Sequence, residues 1–206
     1  MRSVGPDYRM GENMRNIGKY FIALFLAVNL SACTYNIQPA TPVLPPIADE
    51  ASQQPCSVLL LIPQEFASRE YVSSFEGREI RLLVGPPASA AIESLLRSSF
   101  MQVEKRNVTG DGTLDFVRLA SVQQNDPRLI ARPRFVRLES SVRPFRYNIE
   151  FGLALDIAGL SESLTLQGIG IGTAGLYVQS EIQNAADEAL LKAITSLAES
   201  LPRTCK

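Results

Sequence analysis

FRYNIEFGLALDI, residues 145–157, alternates apolar with polar or small side chains without a break. Phe145, Tyr147, Ile149, Phe151, Leu153, Leu155 and Ile157 fall on one face; Arg146, Asn148, Glu150, Gly152, Ala154 and Asp156 fall on the other. Period two is the repeat of a strand, because successive Cβ atoms point to opposite sides of the pleat. One apolar and one polar face predict an antiparallel-type strand packed on one side and open to solvent on the other.

On either side of this stretch the chain continues as strand. Gly159 within Ala158–Glu162 turns it into a second strand over Ser163–Thr173, and Arg134–Ser140 supplies a third member of the meander. Upstream, SVLLLI (57–62) is a continuous apolar run of strand length, as expected of a strand buried on both faces. EIRLLV (79–84) is another strand, stopped by Gly85, Pro86 and Pro87. Ile92, Leu95, Leu96 and Phe100 then recur at helical spacing. Short strands over Met101–Glu104 and Leu114–Ser121 flank the loop Asn107–Asp115 with its Gly-Asp-Gly turn. Ser180–Leu201 reads as a closing helix with an apolar stripe from Ile182 to Leu201, Ser180 and Gln183 at capping-box spacing, and Pro202 beyond it. The expected fold is α+β: a predominantly antiparallel sheet with two helices packed on one face.

The chain contains no histidine, which removes His-based acid–base catalysis and the usual triad and leaves few ways to hold zinc or copper. Asp115, Glu150 and Asp156 lie on or beside strand faces at spacings that do not pair them, and they read as solvated residues. The sequence therefore predicts no enzyme, no catalytic residue, no metal and no cofactor. Gly170-Ile171-Gly172-Thr173-Ala174-Gly175 satisfies G-x-G-x-x-G, but the next helix starts about five residues late and no second parallel strand or ribose-binding acid follows. With Gly168, the alternate glycines instead predict a bend in the strand or close packing of the last helix.

Arg128, Arg132, Arg134, Arg137, Arg143 and Arg146 fall within nineteen residues whose only acid is Glu139. A basic segment in a chain of net charge −1 can steer an anionic partner, such as phospholipid or lipopolysaccharide phosphates or an acidic protein surface. Arg134, Arg137, Arg143 and Arg146 are the candidate partner-binding residues. The competing expectation is that Arg137 and Arg146 pair across strands with Glu139 and Glu150 while the others coat the sheet.

Before all this comes MRNIGKYFIALFLAVNLSAC, residues 14–33. Arg15 and Lys19 form a basic start, and Tyr20–Leu30 is an apolar run too short to span a bilayer core of about 30 Å, the pattern of a removable export signal. Met1–Asn13 is polar, so Met14 is the expected start. Leu30-Ser31-Ala32-Cys33 resembles the lipobox of bacterial lipoproteins. That resemblance implies a diacylglyceryl thioether on Cys33, cleavage before it, and anchorage in a membrane by acyl chains. In the family's sorting rule Asp after the cysteine retains the protein on the inner membrane, so Thr34 implies the outer membrane, facing the periplasm. Cys33 being taken by lipid, Cys56 and Cys205 remain as an even pair in an oxidising compartment and are expected to form a disulfide.

The expected domains are a signal peptide over 1–32, a lipidated Cys33 with a Pro-rich extended tether over 33–55, and a globular α+β domain over 56–206. The ensemble is similar in architecture to small outer-membrane lipoproteins serving envelope assembly, secretion or transport machines, and from it no residue other than Cys33 is carried over. The resemblance implies an accessory or docking role with an envelope protein complex. The alternative is binding of a lipid or glycan ligand. Nucleic acid is excluded by export.

Overall fold

In the computed structural model, which describes residues 34–44, 53–75, 78–122, 128–143, 146–159, 163–175 and 178–202, the elements follow in this order. They are β1 (Thr34–Ile37), β2 (Gln54–Pro63), α1 (Gln64–Ala67), β3 (Glu70–Phe75), β4 (Arg78–Leu83), α2 (Gly85–Ser99), β5 (Phe100–Val108), α3 (Thr113–Val122), β6 (Leu129–Arg143), β7 (Arg146–Ala158), β8 (Leu164–Ala174) and α4 (Gln179–Ser200). The fold is α+β. A five-stranded sheet has the order β5-β2-β6-β7-β8, and a three-stranded sheet the order β1-β4-β3.

The alternating stretch is the spine of the larger sheet: β7 pairs antiparallel with β6 along thirteen register positions and with β8 along eleven. Its apolar face, Tyr147 to Ile157, is buried against α2, α4 and the small sheet. The apolar run of β2 lies parallel to both β5 and β6 and is buried from Val58 to Pro63. Burial on both faces is what a parallel strand with layers above and below requires. Alternate residues of the pleat go to different layers: Val58 and Leu60 join the main core, whereas Leu59 and Leu61 meet Ile130 and the inner stripe of α3.

That second layer corrects the strand expected at Leu114–Ser121, which is helix α3. Phe116, Leu119 and Ala120 form one narrow helical stripe over Leu59, Leu61 and Ile130, and the Asp111 carboxylate accepts the Thr113 N–H at 2.9 Å to start the helix. Phe116, Val117 and Val122 favour strands locally, and burial of the stripe overrides them. The capping box is also not formed: α4 starts after Val178 without a side-chain cap. Gln183 spends its amide elsewhere, on the Gln38 carbonyl and on Asp187, each at 2.8 Å.

Those bonds belong to a strap. Residues 34–44, expected to be free tether, pair through β1 with β4 and then run along α4, burying Ile37, Pro39 and Pro42. The Asn36 carbonyl accepts from Gln179, the Gln38 carbonyl accepts from Gln183, and the Ala40 N–H donates to Asp187. Two extended residues rise about 6.6 Å and four helical residues about 6 Å, so contacts two apart on the strap meet helix positions four apart. The extended tether is thereby corrected over Thr34–Leu44; residues 45–52 lie outside the described part.

The alternate glycines of β8 face α4. A Cβ at Gly168, Gly170 or Gly172 would overlap the carbonyls of Ala193, Ala189 and Ala185 respectively, so strand and helix backbones touch along a stripe of small residues. Close helix packing, one of the two expectations for these glycines, is their role.

Candidate functional site

The arginine segment occupies the β6–β7 ribbon, and a β-bulge decides where its side chains point. Phe135 pairs with Leu153 and Arg137 with Gly152, leaving Val136 as an extra residue. A one-residue shift moves every following side chain to the opposite face. Arg132 and Arg134, at even positions, therefore share a face with Arg137 and Arg143, at odd ones. The register adds Arg146, Glu150 and Asp156 of β7 to that same face.

Below the bulge the arginines are engaged. Arg132 donates to Asp156 at 2.7 Å and to the Thr113 hydroxyl, and its guanidinium lies 5.2 Å from the Phe116 ring centroid. Arg134 reaches the same carboxylate at 3.2 Å, and the Thr165 hydroxyl donates to it at 2.9 Å. The side chains of Arg132 and Asp156 are only 12% and 11% exposed. The reading of Asp156 as a solvated residue is thus corrected: it is the buried acceptor of a four-residue network. Burial pulls its carboxyl upward, but hydrogen bonds from Arg132 and Thr165 and the charge of Arg134 outweigh this and hold it below the usual range. Arg132 Nε is buried without a hydrogen-bond partner among the described residues.

Above the bulge the face is exposed. Arg137 bonds Glu150 across the strands at 2.8 Å and lies 3.4 Å from Glu139 two residues along its own strand. Glu150 raises the already high guanidinium pKa further. Arg143 and Arg146 stand opposite one another at the tip, so Arg146 is not brought to Glu150 by register. Outside the ribbon, Arg128 lies 3.5 Å from Glu104. The change from even to odd arginine positions between 134 and 137 acquires its meaning only from the bulge that the pairing register reveals.

Two further surfaces flank the ribbon. A recess of about 220 Å³ opens at the carboxyl ends of β2 and β5, lined by Glu65, Phe66, Arg69, Asp111, Arg134 and Phe135 among others, with the two rings stacked 4.6 Å apart. Hydrogen bonds from Thr113 hold the Asp111 carboxyl low. At the other side of the sheet, β8 is the last strand and turns Ile169 and Ile171 outward, each about half exposed (51% and 48%).

The glycine motif makes no phosphate cradle among the described residues, since Gly170 and Gly172 pack on α4 and the helix starts only at Gln179. Among the described residues there is no group of three metal-ligating side chains and no helix long and apolar enough to cross a membrane. Cys56 is disulfide-bonded. Cys33 and Cys205 lie outside the described residues, but the Gln54 side chain donates to the Pro202 carbonyl, which brings the two borders of the domain together near Cys56.

No protein-family model matches the chain, and no curated protein matches it. Among solved structures, a hypothetical protein, CT253, from Chlamydia trachomatis is similar at 9% identity and a TM-score of 0.43, over 71% of this chain and 95% of its own. An uncharacterized protein is similar at 8% identity and a TM-score of 0.39, over 84% of this chain and all of its own. Neither likeness bears on what this chain does.

Proposed function

We propose that the protein is a non-enzymatic lipoprotein of the outer membrane, facing the periplasm, that acts as an accessory or docking component of an envelope assembly, secretion or transport complex. The observation that carries this reading is Leu30-Ser31-Ala32-Cys33 placed immediately before the first strand of a folded domain. Each buried acyl methylene contributes about 0.8 kcal/mol, so two or three long chains localise the domain firmly. Its shape supports docking over ligand storage. Packed apolar side chains fill the space beneath the long hairpin, whereas β8 offers the edge of a sheet with two outward isoleucines. Such an edge suits strand addition or apolar capping by a partner protein.

A photo-crosslinking residue at Ile171 is expected to capture one envelope protein in intact cells, and the same residue at exposed Leu114 on α3 to capture none. Cys33→Ser should abolish both palmitate incorporation and the Ile171 adduct. Acyl-free native protein, or equal capture from the two positions, would overturn the proposal. One observation favours the second reading, a lipid- or glycan-binding lipoprotein: the recess beside stacked Phe66 and Phe135, with Arg69 and Arg134 as donors. Saturable glycan binding that Phe135→Ala removes would decide for it.

A further inference from the structure

A row of contacts crosses both sheets near one end of the molecule. Tyr35 pairs with Ile80, Ile80 with Ser73, and the Ser73 hydroxyl meets the Tyr147 hydroxyl at 2.7 Å; Tyr147 in turn pairs with Val142 and Ala174. One step beyond this row, on the same side of it, lie Thr34, Glu79, Arg146 and Arg143. The start of β1, the end of β3 and start of β4, the facing ends of β6 and β7 and the start of α4 therefore share an end. At about 4.8 Å per strand spacing, Thr34 and Arg146 stand on the order of 20 Å apart.

This end is basic with an apolar rim. Arg143 and Arg146 are exposed at the ribbon tip, and Val142 and Val178 are nearly half exposed beside them. Arg78 lies over the Tyr35 ring and donates to its hydroxyl at 2.7 Å, which holds its guanidinium beside the start of β1. Among the described residues at this end the acids are Glu79, bonded to Arg81, and Glu181 in the first turn of α4, while Glu139 and Glu150 line a recess with Arg143 further down the ribbon. Gln54 and Pro202 bond at the far end, where β6 begins and β7 finishes.

Because Thr34 is already in a strand and the strap leads from it along α4 toward the far end, no free chain separates Cys33 from the domain. We propose that this end is the membrane face: Arg78, Arg143 and Arg146 meet the phosphates of anionic phospholipid in the leaflet that holds the Cys33 acyl chains, with Val142 and Val178 at the headgroup level. The proposal rests on acylation of Cys33. Acyl chains plus a basic patch form a two-part anchor, the combination that stabilises peripheral attachment. The anchor sets position and the arginines set orientation. β8 and its outward isoleucines are then carried upright on the membrane surface, with the edge facing sideways.

The test uses the mature acylated protein, purified from membranes and added to vesicles of phosphatidylcholine alone or with one-third phosphatidylglycerol. Arginines are modified with phenylglyoxal and located by mass spectrometry. On phosphatidylglycerol, Arg143 and Arg146 are expected to react about five-fold more slowly than on phosphatidylcholine, the worth of one basic contact at a charged surface. Arg118 on α3 and Arg128 before β6 should react alike on both. Protection should vanish in 1 M salt, where the screening length falls to about 3 Å. Floating protein whose tip and control arginines react alike would overturn the membrane face while leaving the anchor intact. Protein that does not float even with phosphatidylcholine would overturn the anchor, and the proposal with it.

Discussion

The two halves of the β6–β7 ribbon use the same residue type to opposite ends. Below the bulge at Val136, Arg132 and Arg134 converge on the buried Asp156, Arg132 nearly closed off (12% exposed) and Arg134 reaching in from a half-exposed position (43%); above it, Arg137, Arg143 and Arg146 are exposed residues, with Arg137 paired to Glu150. A guanidinium taken out of water needs a carboxylate and hydrogen bonds, which Arg132 makes from both terminal nitrogens, and these make it part of the structure. An exposed one gains little from pairing with its neighbours, so such a pair can be exchanged for another partner at small cost. Arginine content alone is therefore a poor guide to a binding surface.

Asp156→Asn tests the lower half most severely. It leaves Arg132 buried with its charge unanswered, and a loss of about 3–5 kcal/mol is expected in chemical denaturation. Acid should do the same gradually. The folded carboxyl lies below its ordinary value near 3.8, so its stabilisation is present above that pH and is lost as pH falls through the lowered folded value. The wild type should lose stability more steeply below about pH 4 than Asp156→Asn, read from denaturation midpoints across that range.

The division itself is addressed by Gly152→Ala. Its new Cβ would lie 2.9 Å from both Val136 Cγ2 and Arg137 Cβ at the bulge, and overpacking of that kind costs about 1–3 kcal/mol. Smaller still, Arg137→Gln removes an exposed pair and should leave the thermal midpoint nearly where it was. Arg143→Gln with Arg146→Gln should leave stability unchanged while abolishing the phosphatidylglycerol-dependent protection of Arg78. A large loss of stability from this last pair would erase the contrast between the halves.

Much of this organisation is legible along the chain. The alternation at 145–157, the apolar run of β2 and the helical spacing within α2 and α4 were all readable, because each depends on periodicity within one element, whereas the β8 glycines left a bend and close helix packing both open until α4 was seen against them. The α3 helix was not, since its stripe of Phe116, Leu119 and Ala120 is short and its residues favour strands locally. The strap was not, because a proline-rich composition describes the backbone and not the helix that receives it. At the candidate site the arginine cluster was visible, but its partition was not: Asp156 looks solvated until the neighbouring strand and α3 close over it.

Local pattern and residue type were enough to specify the alternation that makes β7 and the layered α+β class. The folded arrangement was needed to show which arginines bind the buried Asp156 and which lie on the exposed half of the ribbon, and that the start of β1 shares an end with the ribbon tip. Both depend on register: one bulged residue turns the face of a strand, and residues far apart in the chain become neighbours only when strands pair.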